Sequence, residues 1–275
     1  MANKTLWISD LDGTLLNKEK KVSDYTKKIL NEKIAEGLCF SIATARTPAT
    51  VVDMLKGVEI SVPVVVMNGA AVYNMATSTY EHVNYLETDM VKVIENLLKE
   101  KKQNAFTYCI DNNQLIAYHG AFTNEAQKKF YEERQNNPRK LFKAEETPLD
   151  ARVAYFVVIG EEEAVRSIYE VLKGYDKVNQ VFYEDIYNAG VYYLEIYSEE
   201  VSKANAIKFL KKTFGFDKLV CFGDNYNDIE MFEMADEGCA VANAVEKIKE
   251  LSTQVIGHHN EDGVAKFIES KWQKW

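Results

Sequence analysis

Two carboxylates two positions apart, Asp10 and Asp12, stand in Asp10-Leu-Asp-Gly-Thr14, directly after the apolar run Thr5-Leu-Trp-Ile-Ser9. An apolar run stopped by an Asp-Gly turn signal reads as a buried strand feeding a tight loop, so both acids lie at a strand's carboxyl end. A second acidic loop, Gly223-Asp-Asn-Tyr-Asn-Asp228, follows Lys218–Phe222, and Thr44-Ala-Arg46 follows Leu38–Ala43. Lys203 lies near the start of a further helix. Carboxylates, a hydroxyl and a cation are the inventory for a divalent metal plus a phosphate. Oxygen donors with few histidines select Mg²⁺ over zinc or copper, and Asp10 and Asp224 are the natural pair of ligands. Each loop alone also has an ordinary reading as turn or helix-cap chemistry. Their joint appearance, each behind an apolar strand, favours a site.

The elements that must position these residues follow from the same pattern. Ser23 N-caps a helix bearing Ile29, Leu30 and Ile34 on one face, which Gly37 closes. A strand over Leu38–Ala43, a helix from Pro48 to about Lys56 and a strand over Pro63–Met67 ending at Asn68-Gly69 come next. The alternation returns after Ser202, with a helix to about Phe214, a strand at Lys218–Phe222, a helix at Asn227–Met234 and a short strand at Cys239–Val241. Strand–helix alternation predicts an α/β fold with a Rossmann-like, doubly wound parallel sheet, in which ligands bind outside the carboxyl ends of the strands. Between these halves the texture changes to Glu- and Lys-rich helices among short strands at Ala105–Cys109, Gln114–Tyr118, Val153–Ile159 and Gln180–Tyr183. The expected organisation is a discontinuous core, 1–83 and 192–275, with an α+β domain inserted at 84–191.

Composition sets the bounds. The chain has 275 residues, 47% hydrophobic and 27% charged, with only 13 glycines and 4 prolines, which excludes disordered and collagenous classes. Acids outnumber bases by 42 to 33, a formal charge of −9 that argues against nucleic acid or an anionic membrane as partner. The longest apolar run, about Val153–Ile159, is far short of a membrane span, and Asp10 and Asp12 break the N-terminal stretch too early for a signal peptide, so a cytoplasmic protein is expected. Cys39, Cys109, Cys221 and Cys239 form no CxxC pair and read as core residues.

Asp10-Leu-Asp-Gly-Thr-Leu-Leu16, Ala43-Thr-Ala-Arg46, Val201-Ser-Lys203 and Gly223-Asp-Asn-Tyr-Asn-Asp228 resemble, in order and spacing, the four motifs of the haloacid dehalogenase superfamily. Asn68-Gly69, Leu194-Glu-Ile196 and Asn260-Glu-Asp-Gly-Val-Ala265 further resemble its Cof-type phosphatases, which carry a type IIB cap between the second and third motifs. Two positions depart from the pattern: Ala45 stands where Gly is usual, and Ala204 follows Lys203 where Gly is more common, on what reads as an exposed helix surface.

The resemblance implies roles. Asp10 is the nucleophile that forms an aspartyl-phosphate. Asp12 is the acid/base that protonates the leaving alkoxide and then activates water, and its backbone carbonyl is a further Mg²⁺ ligand. Asp224 supplies the second carboxylate to the metal, and Asp228 holds a metal-bound water or orients the loop. Leu11, Thr44, Ala45, Arg46, Lys203 and Asn227 are expected against phosphate or substrate, Thr44 through hydroxyl and backbone N–H. Arg46 is open between touching phosphate or leaving group and pairing with a surface acid.

The function so implied is Mg²⁺-dependent hydrolysis of small phosphomonoesters, above all sugar phosphates, by a monomer or weak homodimer. A dedicated sucrose-phosphate or mannosyl-phosphate type of phosphatase, or a phosphomutase, shares the fold. A phospho-receiver is the non-enzymatic alternative, and it has no need of an acid/base at Asp12. Other residues take ordinary readings: His258-His259 a solvated loop, Lys99–Lys102 and Glu161–Glu163 exposed helix faces, and Tyr192, Tyr193 and Tyr197 packing on a strand returning to the core. Glu195 and the tyrosines of the inserted domain are candidates for specificity.

Overall fold

The computed structural model describes residues 4–185 and 188–272. In chain order the strands are β1 (Thr5–Ser9), β2 (Cys39–Ile42), β3 (Val64–Val66), β4 (Ala71–Asn74), β5 (Thr79–Val83), β6 (Ala105–Asp111), β7 (Gln114–Tyr118), β8 (Lys140–Lys143), β9 (Val153–Glu161), β10 (Val178–Glu184), β11 (Val191–Ser198), β12 (Lys218–Gly223), β13 (Glu237–Val241) and β14 (Gln254–Ile256). The helices are α1 (Asp24–Ala35), α2 (Pro48–Met54), α3 (Thr88–Glu100), α4 (Glu125–Glu132), α5 (Glu162–Leu172), α6 (Lys203–Phe214), α7 (Ile229–Glu233), α8 (Glu246–Leu251) and α9 (Gly263–Lys271). They fall into two compact units, one up to His82 and from Ser202 onward, the other Val83–Val201.

The first unit is built on a parallel sheet in the order β14-β13-β12-β1-β2. Leu6, Trp7 and Ile8 of β1 are wholly buried, because a central parallel strand is covered on both faces and so reads as a continuous apolar run. Trp7 packs on Phe222 of β12 and Phe267 of α9, tying the middle of the sheet to a covering helix. A separate three-stranded sheet, β3-β4-β5, adjoins β2 through a parallel bridge between Ala43 and Val65. The helix starts follow the expected caps: Ser23 accepts from the Thr26 N–H, and Ser202 accepts from the Asn205 N–H.

The second unit is a six-stranded sheet in the order β10-β11-β9-β6-β7-β8 with α3 and α5 against its apolar face. The strand carrying Tyr192, Tyr193 and Tyr197 is β11, which pairs antiparallel with β9 on one side and β10 on the other, and its Leu194 and Ile196 lie in this unit's core. A strand hydrogen-bonded along both edges cannot belong to the other sheet, so the return crossing lies between Val201 and Ser202, not at 191/192, and the outward crossing between His82 and Val83. Strands β4, β5, β8 and β14 go beyond what the sequence pattern predicts. They are short or edge strands, some with polar and charged residues and none with an apolar alternation long enough to stand out. Three cysteines are buried, Cys39 is partly so, and all four are unbridged.

Candidate active site

The strand order places β1 between β12 and β2, so the chain leaves β1 in one direction and later returns on the other side. That reversal is a topological switch point, and the carboxyl ends of these three strands converge there. The register sets Ser9 opposite both Phe222 and Ile42, and the ladder runs one residue further through the Asp10 N–H to the Phe222 carbonyl at 2.8 Å and the Ala43 N–H to the Ser9 carbonyl at 2.9 Å. Asp10, Thr44 and Asp224 therefore stand at adjacent strand ends by backbone pairing alone.

Lys203, wholly contained in the first turn of α6, reaches Asp10 Oδ1 at 2.6 Å and Asp228 Oδ1 at 2.7 Å. Its side chain is 1% exposed, Asp10's 8% and Asp228's 0%. A buried ion cluster of this kind persists only when every charge has a partner. Asp228 is saturated, since Oδ2 also accepts the N–H groups of Asp224 and Asn225 at 3.0 and 3.2 Å. The other Asp10 oxygen accepts from no described residue. Lys203 is brought to this position by close backbone contact: a Cβ on Gly69 would lie 2.1 Å from the Ser202 carbonyl oxygen, so Asn68-Gly69 is a contact site for the start of α6.

Carboxyl oxygens of Asp10, Asp224 and Asp228 lie within 4.8 Å of one another. Burial pushes Asp10 up to about 8, with Asp228 and Asp224 adding to the rise and Lys203 opposing it. Asp224 is pushed up to about 6 by burial first and Asp228 second, against a hydrogen bond from Thr14 and the charge of Lys203. Three crowded acids against one lysine leave negative charge uncompensated, and hard oxygen donors are what a divalent cation such as Mg²⁺ takes. The residues fit that ion. Asp10 and Asp224 are free to ligate it, while the donors around Asp228 suit it to orienting the loop and Lys203.

The other predicted residues sort as follows. Asp12 is not one of the clustered acids; its side chain is 46% exposed and is clasped by Arg46, whose Nε and second terminal nitrogen donate to Oδ2 and Oδ1 at 2.5 and 2.6 Å. Of the two readings open for Arg46, the structure displays a pairing with an acid, and that acid is Asp12. Thr44 is buried, and its N–H donates to the Val65 carbonyl, so it does not serve an anion; its hydroxyl accepts from the Arg46 N–H and keeps its own proton to donate. The amides of Leu11 and Ala45 donate to no described residue, and Ala45 is exposed. Asn227 is exposed and lies 3.4 Å, nitrogen to oxygen, from Asn68. Ala204 is buried rather than exposed.

Contacts between residues far apart in the chain complete the surroundings of the site, and Thr14 is the residue among them to which the sequence assigns no role. Thr14 donates its hydroxyl to Asp224 Oδ1 at 2.9 Å, joining the first and last motifs. His259 is no solvated residue: its Nδ1 lies 2.7 Å from the Leu16 carbonyl oxygen. Asp262, with φ at +58°, accepts from the hydroxyls of Ser23 and Thr26, and Asn260 accepts the Lys18 N–H, so the Asn260–Ala265 segment holds the loop after the first motif. In the second unit Glu195 accepts from the hydroxyls of Tyr183 and Tyr197.

The model for haloacid dehalogenase-like hydrolases matches residues 7–268. The chain belongs to that family. A protein of Haemophilus influenzae provisionally named a phosphatase is 27% identical over 96% of this chain and 97% of its own length. The 5-amino-6-(5-phospho-D-ribitylamino)uracil phosphatase YitU of Bacillus subtilis is 25% identical, covering 94% of each chain. Among solved structures, the subclass IIB sugar phosphatase BT4131 of the same superfamily superposes with a TM-score of 0.73 over 97% of this chain and 98% of that one, at 21% identity. As a haloacid dehalogenase-like hydrolase the protein is an enzyme, a phosphoric monoester hydrolase, whose parallel sheet positions Asp10, Lys203 and Asp224 as described. No helix among the described residues is long and apolar enough to cross a membrane.

Proposed function

We propose that this hydrolase is a Mg²⁺-dependent phosphatase of small phosphomonoesters, sugar and polyol phosphates foremost, working through a phosphorylated Asp10. The single observation that carries the reading is the state of Asp10: one oxygen is anchored by Lys203 and the other accepts from no described residue. A carboxylate held by one atom and open at the other is a positioned nucleophile. Mg²⁺ held by Asp10, Asp224 and the Asp12 backbone carbonyl would supply charge neutralisation for the phosphate oxygens. The chain itself provides the rest: Lys203 as a fixed cation, and the Thr44 hydroxyl, the Leu11 and Ala45 amides and the Asn227 amide as donors to phosphate.

Asp12 is the acid/base. Its exposure lets a proton pass between carboxyl and leaving group, and the Arg46 clasp fixes where that carboxyl stands. An acid at this place serves a hydrolase and has no task in a phospho-receiver. The Bacillus subtilis relative YitU, named for a phosphorylated ribityl compound, accords with a polyol-like leaving group. The proposed setting is the cytoplasm, with the enzyme a monomer or weak homodimer, residues 83–201 forming a type IIB cap and Glu195 and its tyrosines contributing specificity. Phosphate release from p-nitrophenyl phosphate and a panel of hexose and pentose phosphates, with Mg²⁺ and with EDTA, tests this. Turnover that needs Mg²⁺ supports the reading, and an inert wild type at high enzyme and Mg²⁺ overturns it.

A further inference from the structure

The loop after Asp10 is one wide turn, closed by the Leu16 N–H to the Leu11 carbonyl at 2.9 Å, and its interior is not helical: Asp12 is extended and Gly13 has φ +78°. Such a turn leaves carbonyls that need outside donors. Two residues distant in sequence supply them. Asn243 Nδ2 donates to the Gly13 carbonyl at 2.8 Å, and the His259 Nδ1–H to the Leu16 carbonyl at 2.7 Å. The two are linked, because the His259 backbone N–H donates to Asn243 Oδ1 at 3.1 Å and so fixes which way the Asn243 amide faces.

The turn that carries Asn243 also holds the opposite side of the site. The Val245 N–H donates to the Asp224 backbone carbonyl at 2.9 Å. Gly13 lies so near that carboxylate that a Cβ on it would stand 2.5 Å from Asp224 Oδ2. One turn after β13 thus grips both the loop of Asp10 and Asp12 and the residue that faces them.

We infer that Asn243 and His259 are positioning residues of the reaction, a buttress that sets the spacing between the Asp10–Leu16 loop and Asp224. The inference rests on the phosphatase reading for its rate consequence, while its geometric part concerns the separation of the carboxylates that would hold Mg²⁺. Neither residue touches phosphate or the reacting atoms; each acts through a backbone carbonyl of the loop.

The test compares Asn243→Ala, His259→Ala and His259→Gln with wild type by p-nitrophenyl phosphate kinetics, thermal midpoint in EDTA, and the Mg²⁺ concentration giving half of the full thermal shift. A misplacement of the loop by a fraction of an ångström should lower kcat by roughly 10- to 100-fold with KM changed less than about 2-fold. Asn243→Ala should also raise the Mg²⁺ midpoint several-fold, with the EDTA midpoint near wild type, and His259→Gln, which keeps a side-chain N–H donor, should recover most of what His259→Ala loses. Wild-type kcat and Mg²⁺ midpoint in Asn243→Ala, or a loss of activity matched by an equal loss in the EDTA midpoint, overturns the inference. His259→Gln falling as far as His259→Ala overturns the role of that donor. Should the wild type hydrolyse no phosphomonoester, the phosphatase reading falls by itself, and the Mg²⁺ thermal titration still decides for or against the buttress.

Discussion

Arg46 grips Asp12 with two parallel hydrogen bonds, 2.5 and 2.6 Å long, so both oxygens of the proposed acid/base are engaged by one guanidinium. This fork geometry orients a planar carboxylate better than a lysine could. An acid is needed most when the leaving group is a poor one. Asp12→Asn is therefore expected to lower kcat on hexose phosphates by roughly 10²- to 10⁴-fold, and to affect p-nitrophenyl phosphate, whose phenolate leaves unaided, distinctly less. Arg46→Lys should show the same ordering at smaller size. Equal losses on both substrates would contradict the acid role.

Mg²⁺ binding should release protons. Without metal, burial and neighbouring carboxylates raise Asp10 to about 8 and Asp224 to about 6, and a ligating carboxylate must be ionised. Protons thus compete with the ion below those values. The Mg²⁺ midpoint of a thermal-shift titration should fall as pH is raised from 6 to 8, and a midpoint independent of pH over that window would refute the coupling.

The metal-free fold should gain from losing one acid. Asp224 has a folded value of about 6 against an ordinary 3.8, so the stability associated with its protonated form is present below about 3.8 and disappears as pH rises through about 6. At pH 7 the ionised, partly buried group is a net cost. Asp224→Asn, whose side-chain oxygen can still accept from Thr14, should stabilise the protein in EDTA by about 1–3 kcal/mol at pH 7 and abolish the stabilisation by Mg²⁺. Denaturant unfolding with and without Mg²⁺ measures both effects.

Two glycines should tolerate no side chain. Gly13→Ala would force a Cβ against Asp224 Oδ2 at a backbone angle of +78°, and Gly69→Ala would drive one into the Ser202 carbonyl behind Lys203. Both should lose activity by at least roughly 10²-fold, Gly69→Ala with a clear drop in thermal midpoint because backbone meets backbone.

Much of the core was legible because its signals are local. The apolar run of β1, the Ser23 and Ser202 caps, and the acids placed at strand ends each state their role within a few residues. Residues that work through long-range backbone contact left no such trace. Asn243 lies more than two hundred positions from the Gly13 carbonyl it holds, and His259 looks in sequence like one of a solvated pair. The Thr44 amide looked available for an anion, yet the crossing to β3 gives it to Val65. Strand β11 pairs with β9 and β10 rather than with the parallel sheet, and a tyrosine-rich strand carries no mark in the sequence of which partners it will take.

In the proposed reaction the carboxylate oxygen of Asp10 attacks phosphorus and becomes phosphorylated. Rapid acid quenching during turnover of a phosphorus-labelled hexose phosphate, followed by peptide mapping, addresses it most directly. Label is expected on the Asp10 peptide of the wild type, removable by hydroxylamine as an acyl phosphate, with neither label nor turnover in Asp10→Asn. Turnover in Asp10→Asn at the wild-type rate, or label confined to another residue, would contradict it.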